Sequence, residues 1–123
     1  MSRITHMKPF SHEGLPDVTA YALTANLQAG KAQDLLVQVN PGGQVPLHSH
    51  SVDATMFIVD GEAIVISDDE SLNGQTVHRG DVVDFERNIR HGFKASPLGL
   101  LFVSRNGGII DEGSNAWDIQ FQA

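Results

Sequence analysis

The stretch Pro41-Gly42-Gly43-Gln44-Val45-Pro46-Leu47-His48-Ser49-His50 sets two histidines one residue apart, shortly after a Pro-Gly-Gly turn. On an extended chain alternate side chains point to one face, so the two imidazoles project together, about 7 Å apart along the strand. A divalent metal about 2 Å from each ring nitrogen can bridge such a pair. His91 lies far along the chain, beside the turn-like segment 86–90. A third ligand arriving from another strand is what a metal site inside a barrel needs. The same pair would equally serve as two exposed polar residues, and the spacing alone leaves both readings open.

Outward from this stretch the chain reads almost wholly as strand. Runs rich in β-branched and aromatic residues recur at short spacing between Gly, Asp and Asn turns, the pattern of a sandwich or barrel. Strands are expected at 18–27, 34–39, 54–59, 62–67, 76–78, 81–85, 92–95, 98–104 and 117–121. Asp60-Gly61 reads as a two-residue type I′ hairpin turn, because that pair tolerates positive φ. Asn73-Gly74 marks a second turn, inside a polar loop over 68–75. No segment shows helical periodicity with caps, so helices should be short or absent.

The 123 residues correspond to one domain, 1–123, with an irregular N-terminal arm over 1–17. No apolar run approaches the roughly 20 residues that span a bilayer. Arg3 and Lys8 are followed by no apolar signal core, so no export signal is expected and a cytoplasmic location is the default. The absence of cysteine excludes disulfides, thiolate metal sites and cysteine nucleophiles. A net charge of −7 with eight scattered Lys and Arg argues against nucleic acid, which requires clustered cations. A long apolar edge strand over 18–27 would invite pairing with a second copy, and a homodimer is expected.

The segment 41–61 resembles the first motif of the cupin superfamily: Gly42, His48, His50 and Gly61 fall in register with its glycines and histidines. The segment 79–95 is similar to the second motif, with Gly80 and His91 in register. The resemblance implies a compact antiparallel β-barrel, or jelly roll, of the small cupin 2 type, with motif 1 at about 42–61 and motif 2 at about 80–95. It implies one divalent metal inside, held by His48, His50 and His91. The departures matter too. Ala54 stands where the first motif carries a ligating glutamate, with Thr55 at the alternative register. Glu86, Asn88 and Ala95 replace the proline, glycine and asparagine of the second. An alanine cannot bind metal, so the site is either three-histidine or completed from elsewhere, Asp53 being the nearest carboxylate.

A neutral three-histidine set suits Fe, Ni, Zn, Mn or Cu with open positions for ligand. It leaves the full +2 charge on the metal, which favours an anionic or oxygenated small molecule. Strand alternation suggests Met56, Ile58, Phe93 and Phe102 as pocket walls, with Arg90 at the rim. Trp117 reads as a packing or interface residue, and His12 as a solvated residue of an arm able to reach over a barrel mouth. The resemblance supports a metal-dependent enzyme, a non-haem Fe(II) dioxygenase or a lyase or isomerase. The alternative is a non-catalytic binding or sensing cupin, suggested by the missing glutamate and the lack of any acid–base side chain near the site. No catalytic residue is assigned.

Overall fold

Buried and exposed side chains alternate along the strands, and the positions at which the alternation changes phase define the architecture. The computed structural model describes residues 2, 4, 6–23, 31–111 and 116–121. In chain order the strands are β1 (Pro9–Phe10), β2 (Val18–Ala22), β3 (Lys31–Val39), β4 (Gln44–His48), β5 (Ala54–Ser67), β6 (Thr76–His78), β7 (Val82–Phe85), β8 (His91–Asp111) and β9 (Ala116–Trp117). Every pairing is antiparallel, and the described residues contain no helix. Among them, accordingly, no helix is long and apolar enough to cross a membrane.

Strand β8 is the spine. Its first part pairs with β4 and with the second part of β5; its later part pairs with β3 and with the first part of β5. Strands β1 and β2 extend the sheet beyond β3, while β6 and β7 flank the two parts of β5. The two long strands therefore bend together and carry one continuous sheet, nine-stranded among the described residues, around the core, as in a jelly roll.

This arrangement corrects the hairpin expected at Asp60-Gly61. The chain does not reverse there: Asp60 and Gly61 stay paired with Leu101 and Leu100, and Ala63 pairs with Ala95. Between those pairs Glu62 alone faces the four residues 96–99, a bulge on β8. The inward residues of β5 are Ala54, Met56 and Ile58 before the bend, and Ala63 and Val65 after it. On β8 they change from Phe93 and Ala95 to Leu100, Phe102 and Ser104. A one-residue phase change keeps the apolar face inward where an unbroken strand would turn it outward. Gly61 has a φ of +83°, which accommodates the bulge, and a Cβ there would run into the carbonyl oxygen of Gly99.

The other differences have local causes. Strand β4 falls outside the expected strands because Pro46 interrupts it; proline lacks a ladder donor and is confined to edges and bulges. The register is indeed shifted between Val45 and His48. The arm expected to be irregular over 1–17 contains β1, whose Phe10 pairs with Ala20 and is buried. The strand expected at 18–27 ends at Ala22, and its edge is covered by β1; residues 24–27 lie outside the described residues.

Gly61→Ala should lower Tm by on the order of 10 °C or more, because positive φ and a backbone clash add to about 3 kcal/mol. Gly74 has the same φ of +83°, but a Cβ added there would meet nothing within 4 Å, so Gly74→Ala should cost about 1 kcal/mol. Thermal unfolding of the two variants checks the difference.

Candidate metal centre

His48 ends β4 and His91 begins β8, and the two are direct cross-strand partners. They can lie that close because the intervening chain packs tightly: a Cβ on Gly92 would strike the carbonyl oxygen of Val45. His50 is not on a regular strand. The chain leaves β4 at His48, Ser49 forms an isolated bridge with Gln120, and the imidazoles of His48 and His50 turn toward each other with centroids 4.8 Å apart. The His48–His91 and His50–His91 centroids are 4.6 and 5.3 Å apart. Ligand nitrogens of all three lie within 4.8 Å of one another, and all three residues are buried.

Their hydrogen bonds fix the tautomers. Nδ1–H of His48 donates to the Pro46 carbonyl at 2.7 Å, that of His50 to the Asp118 carbonyl at 2.5 Å, and that of His91 to the Ile89 carbonyl at 3.1 Å. A carbonyl only accepts, so each Nδ1 must carry the proton and each Nε2 the lone pair. Metal-ligating histidines are oriented by such outer contacts. The ring of His91 is also stacked on Phe85, with centroids 4.1 Å apart and planes inclined by 7°. Its Nε2 is buried without a hydrogen-bond partner among the described residues. A buried lone pair beside two others is the donor set a borderline divalent ion needs, so these residues fit a metal.

Burial pushes the His48 pKa down to about 4, with further lowering by His50. His91 is lowered to about 3, first by burial and then by its two histidine neighbours. Burial lowers His50 as well, against an opposing contribution from its bond to Asp118. All three are therefore neutral at pH 7 and available as ligands.

The histidines line one wall of a cavity of ≈ 50 Å³. That is several times the roughly 10–15 Å³ that one water requires, room for an ion and a small ligand. Met56, Phe93 and Phe102 line it. Ile58, expected as a wall, lies in the core beyond Met56 toward the bend and does not line it. Arg90, expected at the rim, points away. Alternation from the inward His91 turns it outward, where its guanidinium pairs with Asp68 at 2.7 and 3.2 Å. Asp53 is exposed and holds the Arg87 backbone N–H at 2.9 Å and its guanidinium at 3.2 and 3.3 Å. That pairing, which keeps the Asp53 carboxyl below its usual range, leaves it outside the histidine cluster. Ala54 is buried on the same face of β5 as Met56.

Several site residues escape a reading of the sequence. Ser104 lines the cavity, and strand alternation from Phe102 would have found it. Leu15, Trp117 and Ile119 also line it, from segments near the chain ends that carry no motif. His12 of the arm does reach across, packing edge-on against Trp117 at 5.4 Å. Asp118 secures this closure: its carboxylate accepts from the Ser51 N–H at 3.1 Å and the Ser51 hydroxyl at 2.6 Å.

Comparison with known proteins gives the same architecture. The Cupin domain family matches residues 35–103, which include all three histidines. The polyketide cyclase RemF from Streptomyces resistomycificus superimposes with a TM-score of 0.70 at 19% identity, over 86% of this chain and 79% of that one. Rru_A2000 from Rhodospirillum rubrum, a cupin-2 domain, gives 0.70 at 18%, over 99% and 80%. KdgF from Halomonas sp. gives 0.64 at 17%, over 80% and 85%. At these identities the likeness is one of fold. No curated protein sequence matches the chain.

The pH dependence of the metal-free protein should follow from the histidines. The unfolded chain takes up their protons near pH 6.5, whereas in the folded chain His48 resists until about pH 4 and His91 until about pH 3, with His50 shifted in the same direction by burial. Stability is thus fully present above about pH 6.5 and falls with acidity, by about 1.4 kcal/mol per pH unit for each of His48 and His91 until its folded pKa is reached. His91→Gln should reduce the slope between pH 6 and 4.5 by about that amount. Urea unfolding in chelator checks it; an unchanged slope would show that His91 is not held neutral.

Proposed function

Because this chain belongs to the cupin family, we propose that it is a metal-dependent enzyme acting on a small oxygen-bearing molecule, with one divalent ion held by His48, His50 and His91. The observation that carries this reading is the buried, unpartnered Nε2 of His91 beside two further imidazoles whose Nδ1 atoms, like its own, are tied to backbone carbonyls. A bound divalent ion would supply Lewis acidity or, as iron(II), redox chemistry with dioxygen. The chain's own residues hold the three rings through their Nδ1 hydrogen bonds and surround the site with mostly apolar side chains. Without a ligating glutamate, three protein donors leave coordination positions free for a ligand.

A dioxygenase and a lyase or isomerase both suit this donor set, and native iron would favour the first. Non-catalytic binding or sensing is favoured by one observation: among the described residues that line the cavity there is no carboxylate and no titratable group besides the three histidines. A homodimer remains part of the proposal, on different grounds from an open edge strand: Phe57 and Val82 are cross-strand partners and both are exposed.

Elemental analysis of protein purified without added metal should find close to one equivalent of a divalent transition metal. His91→Gln should lose it while remaining folded by circular dichroism. Stoichiometric metal in that variant, or a wild-type site that refuses every divalent ion tested, would overturn the proposal. Light scattering at tens of micromolar should return twice the chain mass; a monomer would remove the dimer.

A further inference from the structure

The buried side-chain polar atoms without a hydrogen-bond partner among the described residues are His91 Nε2 and Trp117 Nε1, and both residues line the same cavity. The first is accounted for by the metal. The second is a donor, which no metal can satisfy. An indole N–H shut away from water normally finds an acceptor, and one left without costs free energy. The neighbouring His12 does not provide it: its Nδ1 already accepts the Gly14 N–H at 2.9 Å, so the neutral ring carries its proton on Nε2. Trp117 is held in place by its pairing with Ile110 and by the edge-on packing of His12.

We propose that Trp117 is a specificity-determining residue, whose Nε1–H donates to an oxygen of a ligand bound at the three-histidine centre. The inference rests on the metal reading above and narrows its substrate class. No lysine or arginine is among the described residues lining the cavity, Arg90 being paired with Asp68 outside. A ligand there meets the Trp117 indole N–H, the Ser104 hydroxyl, the metal, and walls such as Val37, Phe93 and Phe102. The matching chemistry is a small, largely apolar molecule with one oxygen for the metal and a second acceptor for the indole, an enolate or a monocarboxylate. Polyanions and sugars rich in hydroxyls are disfavoured, because apolar walls leave their polar groups unpaired.

The sequence contains a single tryptophan, so the indole gives one unambiguous signal. Zinc-loaded, nitrogen-15-labelled protein is titrated with acetate, which has a second oxygen free to accept. It is separately titrated with imidazole, which binds metal through nitrogen and then has no acceptor to offer. Acetate should move the indole proton downfield saturably, and imidazole should not. In cobalt-loaded protein followed by visible absorption, Trp117→Phe should weaken acetate roughly ten-fold or more and leave imidazole within about two-fold. Unchanged acetate affinity in the variant, or an indole proton that acetate does not move, would overturn the inference while leaving the metal reading intact. Failure of the wild type to hold zinc or cobalt would overturn both. If Trp117→Phe does not fold, the wild-type indole titration decides alone.

Discussion

Strands β5 and β8 remain paired with each other on both sides of a bend in which Gly61 lies against the Gly99 carbonyl, and five of the other seven described strands attach to one of these two. If either strand held its phase through the bend, Val65 and Phe93 would be carried to the outer face and the core would lose them. The site inherits this constraint. His91 opens the first part of β8, whereas Phe102 and Ser104 belong to the later part, and they line a common cavity because the paired strands turn together.

Within that frame the tautomers of the site are set by backbone carbonyls. Three main-chain carbonyls, of Pro46, Ile89 and Asp118, take the Nδ1 protons and leave three lone pairs facing one another inside the barrel. Burial then keeps the rings neutral, so the donors are ready without first losing protons. The arrangement exchanges stability at acid pH for readiness to bind, a common trade at functional sites.

The three histidines were legible because a His-x-His spacing and a distant histidine fit the pattern of a family, and that pattern reflects a local backbone path. Most strands were legible from alternation for the same reason. Asp60-Gly61 misled because positive φ serves a hairpin and a bulge equally well, and only the partner strand distinguishes them. Pro46 concealed β4 because its local signal opposes strand formation. Trp117 and Asp118 fall in a stretch read as a strand over 117–121, of which only the start is one, and nothing local points to the site. Their roles depend on which surface they meet after the chain has folded, and so does the placing of Arg90 beside Asp68.

The contact between His50 and Asp118 joins residues 68 apart in sequence, and the Ser49–Gln120 bridge ties down the same corner. Closing so long a loop is entropically costly and contributes little until both ends have arrived. The strands through β8 can pair while His50 still lacks the carbonyl that sets its tautomer. The ligand set is thus completed by a segment that docks on an already paired barrel, which would postpone tight metal capture until the surrounding barrel has formed.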